Sequence, residues 1–138
     1  MSLRDESKRR ARALQLLYAL ETQGHSDSDE AARGLSRLTG PEPALLEPAL
    51  ELVDGVLRDR DALDRLAQAA AENWRFDRIA TIERNILRLA IHELRATTLP
   101  APVIIDEAVW LAQRFAGPKA PPFINGVLDR VARDLGRL

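Results

Sequence analysis

A chain of 138 residues suits one compact domain, and its 46% apolar content can build a core while 30% charged residues supply a soluble surface. A formal net charge of −1 excludes a strongly basic protein that holds nucleic acid by bulk charge, so any cationic surface must be local. The absence of cysteine excludes a disulfide framework, a zinc–thiolate cluster and a thiol nucleophile, and no apolar run approaches the ~20 residues of a membrane span; a soluble protein of the reducing cytoplasm is expected.

Leu, Ala and Arg dominate and aromatics are scarce, which favours packed helices over sheets. Gly24, Gly40-Pro41, Pro43, Pro48, Pro100, Pro102, Gly117-Pro118 and Pro121-Pro122 punctuate the chain and leave helical stretches between them. The pattern predicts helices at about 4–22, 28–38, 44–71 (with a break near Gly55), 78–97, 103–116 and 122–136, and no strand. The expected fold is all-α with six or seven helices: one domain over 1–138, made of two small bundles joined by the long third helix.

The first predicted helix carries Arg4, Lys8 and Arg12 at four-residue spacing, forming one ridge with Gln15. Ala13, Leu16, Leu17 and Leu20 mark its core side. Arg9 and Arg10 extend the cationic patch, and Tyr18 lies where the two faces meet. Cations beside an aromatic ring suit single-stranded nucleic acid, with phosphates on the cations and a base on the ring. A solvated basic face with a tyrosine at its rim is the plainer alternative.

In the connection to the central helix, Trp74 reads as packing between the two halves, and Asp77 as the N-cap of the helix that follows. In the central helix Ile79, Ile82, Ile86, Leu87, Leu89, Ala90, Ile91 and Leu94 cover more than half the circumference, so other helices must surround it. Arg84, Asn85, Arg88, His92 and Arg95 share the remaining face. Glu83 and Glu93 project into the apolar arc, where a carboxylate must be paired or must meet a partner.

Trp110 falls on the polar side of the next helix, where it could anchor a partner or cover a loop. Asn125-Gly126 is a hairpin signal in isolation, but Ile124, Val127, Leu128, Val131 and Leu135 continue at helical spacing through it. The helix is therefore expected, with Gly126 kept small for a close backbone approach.

No catalytic pattern emerges. His25 and His92 lack a patterned Ser or Cys partner, and there is no His-Glu-x-x-His pair, P-loop or glycine-rich dinucleotide turn. No catalytic residue, metal site or cofactor is expected, and Glu83, Glu93, Asp106 and Glu107 are better read as helix-terminal or arginine-paired acids.

Four blocks carry a resemblance. They are Ala13, Leu14, Gln15, Leu17 and Tyr18 after an arginine-rich start; Ile82-Glu83-Arg84 with Leu87-Arg88-Leu89-Ala90-Ile91 and Glu93-Leu94; Ile105-Asp106-Glu107-Ala108-Val109; and Phe123-Ile124-Asn125-Gly126-Val127-Leu128-Asp129. In this order and spacing they resemble the NusB family of bacterial transcription antitermination factors. The chain departs from the family's usual residues at Ala11, His92 and Asp106, and Lys119 stands in a loop that is often acidic or polar in relatives.

The resemblance implies a non-catalytic factor that binds single-stranded boxA-type RNA as a heterodimer with the ribosomal protein NusE. It thereby joins an antitermination complex with RNA polymerase on ribosomal RNA operons. It assigns RNA to Lys8, Arg9, Arg10 and Tyr18, and the NusE surface to Asp77, Glu83 and Arg88; Lys119, where the chain departs from the family, would be an added cation for RNA if its loop faces it. Two alternatives stay open: an RNA-binding module working with a separate ribosomal RNA cytosine methyltransferase, and a structural helical homodimer. No residue decides between a monomer and a homodimer in the free state.

Overall fold

The computed structural model describes residues 2–22 and 43–138, and the helix expected at 28–38 lies outside them. The described residues are helical with no strand. They fall into two compact units, Met1–Arg58 and Asp59–Leu138.

The first unit contains α1 (Leu3–Thr22) packed against α2 (Pro43–Arg58). Ser2 starts α1: its hydroxyl accepts the Asp5 N–H at 3.1 Å and its own N–H reaches the Asp5 carboxylate at 3.4 Å. This reciprocal cap satisfies donors that the first helical turn leaves unpaired. Ala13, Leu14, Leu16 and Leu17 of α1 are buried, as are Ala49, Leu52, Val53 and Val56 of α2. The α2 residues recur at the spacing of one helical face. Each buried Leu or Val contributes roughly 1.5–3 kcal/mol. Pro48 lies inside α2, where it has no N–H to give to the preceding turn.

The long helix expected at 44–71 is two helices. Gly55 is buried and remains helical, and the break comes at Asp59, whose backbone (φ −107°, ψ 14°) leaves the helical region before α3 (Arg60–Ala70) begins.

The second unit is built on α4 (Thr81–Ala96), which packs against α3, α5 (Ala101–Phe115) and α6 (Ala120–Asp134). Ile86, Leu87, Leu89, Ala90, Ile91 and Leu94 of α4 are all buried, as the expected wide apolar arc requires. Leu63 and Ala67 from α3, Ile104, Ala108 and Leu111 from α5, and Ile124, Leu128 and Val131 from α6 complete the core. Prolines serve as starts: Pro100 precedes α5, and Pro121 with Pro122 occupies the first turn of α6, where an N–H has no acceptor within the helix.

The hairpin signal at Asn125-Gly126 is overridden, since α6 runs straight through it. Gly126 is exposed, and a side chain there would meet nothing, so it does not serve a close backbone approach. Gly136 is where glycine matters. At φ 71° it turns the chain so that its N–H reaches the Arg133 carbonyl, while the Arg137 N–H reaches that of Ala132.

Between α3 and α4, Phe76–Arg78 form one 3-10 turn. Gln68 of α3 holds the segment before it: its amide nitrogen donates to the Trp74 carbonyl, and its amide oxygen accepts the Phe76 N–H, both at 2.7 Å. Trp74 itself is 60% exposed and meets Phe123 edge-on at 5.6 Å, both within the second unit. Its ring contact lies within this one unit and most of it is exposed, which differs from the expected packing between the two halves.

Candidate nucleic-acid and partner surfaces

In the first unit, α1 presents the cations. Arg4 is exposed and Lys8 half-buried, and Arg12 donates to Gln15 Oε1 at 3.1 Å, which joins the predicted ridge. Arg9 pairs with Glu6 at 3.0 Å, leaving its Nε–H buried without an acceptor among the described residues. Arg10 differs from its neighbours. It is buried and lies 4.0 Å from the same Glu6 carboxylate, so α1 uses it as part of its packed face. Tyr18 is 40% exposed two turns further on, with its ring at the surface. Lys8 and Arg9, partly exposed, and Tyr18, more open, keep some charge and ring surface that a backbone-and-base contact can use. Arg10 does not.

Lys119 belongs to the second unit, exposed at the residue that precedes α6. The Gly117 carbonyl accepts the Ala120 N–H at 3.0 Å and closes the turn that displays it.

The three residues assigned to a protein partner have different surroundings. Asp77 is exposed within the 3-10 turn and is not a helix cap: its carboxylate accepts from Arg75 at 2.9 Å, and its carbonyl accepts from Arg84 at 3.2 Å. The N-cap of α4 is Ala80, which has no capping side chain. Glu83, in the first turn of α4, is half-buried and has no hydrogen bond or ion pair among the described residues. A carboxylate in that state has its charge only partly solvated and gains from an incoming donor.

Arg88 is the third, and it is 7% exposed. Its guanidinium grips Asp64 of α3 with two bonds, Nε to Oδ1 at 2.7 Å and Nη2 to Oδ2 at 3.0 Å. Nη1 donates to Asn85 Oδ1 at 3.0 Å, and the group lies 5.4 Å from the centre of the Phe76 ring. Arg88 therefore shares no solvated face with Arg95. It ties α4 to α3 through a buried network in which Asn85, 1% exposed, keeps its side-chain amide nitrogen without an acceptor among the described residues. Sequence reasoning did not single out Asp64. Its only local signal is an acid at the margin of the Leu63–Ala67 stripe.

Glu93 is also buried, at 1% exposure, as its place in the apolar arc implied. Among the described residues no group of three or more His, Asp or Glu side chains is placed to hold a metal ion. No described helix is long and apolar enough to cross a membrane.

Comparison with known proteins identifies the family. Residues 7–133 match the pattern of the NusB family. The transcription antitermination protein NusB of Sorangium cellulosum is 42% identical over 130 residues, covering 94% of this chain and 92% of that protein. That of Anaeromyxobacter dehalogenans is 38% identical over 129 residues, covering 94% and 91%. Among solved structures, one of the antitermination factors NusB and NusE in complex with double-stranded RNA superimposes with a TM-score of 0.82 at 26% identity, covering 96% of this chain and 99% of that one.

Proposed function

The chain belongs to the NusB family, and from that premise we propose that it is a non-catalytic antitermination factor that pairs with NusE and binds boxA-type RNA in the cytoplasm. The observation that carries this reading is the set of Lys8, Arg9 and Tyr18 on α1, the cations partly exposed and the tyrosine more open, in a chain whose relatives are antitermination proteins. Similarity to a chain solved with NusE and RNA supports both partners. The RNA in that complex is double-stranded, but an exposed tyrosine beside cations suits an unstacked base, so a single-stranded element is the form we take. Assembly with RNA polymerase on ribosomal RNA operons is the setting in which such a complex acts.

On this reading α1 supplies part of the RNA surface. Lys8 and Arg9 draw the phosphates, and Tyr18 offers a stacking face. Lys119, exposed on the second unit, is a separate candidate cation for RNA. Asp77 and Glu83 form the acidic partner surface, and Arg88 supports it from beneath by fixing α4 against α3. A chain with net charge −1 depends on its partner for the rest of the cationic surface.

Fluorescence anisotropy of a labelled boxA-like RNA, titrated with this protein alone and then with its cognate NusE, tests the proposal. Weak binding alone and much tighter binding with NusE is the expected result. Equal affinity with and without NusE would remove the heterodimer from the reading, and no binding in either case would remove RNA.

A further inference from the structure

A groove of about 580 Å³ opens at the C-terminal end of α4 in the second unit. Leu94, Arg95, Thr97, Thr98, Leu135 and Arg137 line it. It lies well away from the acidic surface, since Arg95 is three turns beyond Glu83, roughly 18 Å along the helix axis.

The lining is one-sided in charge, with two arginines and no acid. Arg137 is fixed in place: its guanidinium donates to the backbone carbonyls of Leu94, Thr97 and Leu99, and the Gly136 turn sets its approach. Arg95 differs, being exposed and without a hydrogen bond or ion pair among the described residues. Its planar fork is free to take a carboxylate with two parallel bonds. The floor is apolar, from Leu94 and half-buried Leu135. Exposed Leu99 and Leu138, each next in sequence to a lining residue, extend the apolar surface around it.

An occupant must therefore be anionic and partly aliphatic. No aromatic ring lines the groove, so an RNA base would find nothing to stack on, which favours a peptide over a nucleotide. We propose that this groove binds an extended acidic peptide segment of a partner protein. One aliphatic side chain of that segment sits over Leu94 and Leu135, and a neighbouring carboxylate sits on Arg95.

The test uses the full chain, isotopically labelled for amide NMR, with a capped synthetic peptide of alternating aspartate and leucine as the probe. Amide signals of Arg95 to Leu99 and Leu135 to Leu138 should shift, and the same peptide with lysine in place of aspartate should leave them unmoved. Arg95→Glu should weaken binding by at least about tenfold while the circular dichroism spectrum is unchanged, because the side chain is exposed and structurally unengaged. The proposal is overturned by shifts elsewhere on the chain, by unchanged affinity in Arg95→Glu, or by no shift at roughly millimolar peptide. It is equally overturned if oligouridine moves the same signals more strongly, which would make the groove an RNA site.

Discussion

Arg88 and Asp64, 24 residues apart, close a two-pronged ion pair that joins the central helix of the second unit to α3. The Arg88 side chain is 9% exposed and that of Asp64 27%, so the pair is shielded on the arginine side and wetter on the acid side. Asp64→Ala should destabilise the protein by about 2–3 kcal/mol, less than the ~3–5 of a fully buried pair because water reaches the acid. Adding Arg88→Met should recover part of that loss, since the uncompensated charge goes with it. Urea unfolding followed by circular dichroism measures both, and an unmoved midpoint in Asp64→Ala would show that the pair contributes nothing.

The cations of α1 should separate by burial. Lys8→Ala should reduce the slope of log affinity against log salt by about 0.7 if the ammonium neutralises one phosphate of a single strand. Arg10→Ala should instead lower thermal stability, because its side chain is packed. Salt titrations of RNA binding, set beside melting curves of both variants, check the pair of statements. The division fails if Arg10→Ala melts like the parent and Lys8→Ala keeps the parent's salt slope.

Tyr18 has an exposed ring, so its role can be read without disturbing the core. Tyr18→Ala should cost roughly 1–3 kcal/mol of RNA affinity if a base stacks there. Tyr18→Phe should retain most of it, because stacking needs the ring and not the hydroxyl. An alanine variant that binds RNA as the parent does would place the base elsewhere.

Glu83 combines partial burial with the lack of a partner among the described residues. Glu83→Lys should abolish NusE pairing by placing a cation where a donor is expected, with helical content preserved. Co-migration of the two proteins on a sizing column gives the first readout and circular dichroism the second. Loss of helicity in the variant would mark Glu83 as a folding residue.

At the start of α1, the Ser2 hydroxyl and then the Ser2 backbone N–H hold the Asp5 carboxyl below its ordinary value. The ionised form is favoured in the folded helix. The resulting stability is therefore complete above the unfolded carboxyl pKa, near 3.9, and is lost as pH falls through the folded value. Carboxyl carbon NMR should give Asp5 a midpoint below that of a free aspartate. Ser2→Ala should raise it, and an unchanged midpoint would dissolve the cap.

Legibility from sequence followed the range of the interaction involved. The apolar arc of α4 and the helix through Asn125-Gly126 depend on spacing within one segment, and both are found as expected. Arg88 falls on the face that the apolar arc leaves over, and a helical wheel cannot see Asp64 arriving from another helix to bury it. Asp77 looked like a cap since acids often are, but the 3-10 turn at Phe76–Arg78 separates it from the helix start. The long third helix was expected to weaken at its glycine, yet Gly55 stays helical and the chain turns at Asp59, which no breaker residue marks. On α1 the residue types were legible, but not that Arg10 faces inward while Arg9 beside it stays partly exposed.

Gln68 offers one further consequence. A single amide spans the Trp74 carbonyl and the Phe76 N–H, so the segment from Ala71 to Arg75 is constrained in length more than in composition. Asn73 is exposed and has no role in this hold. One residue inserted or removed would carry both backbone groups out of reach of the same side chain, taking the seat of Phe76 beneath Arg88 with them.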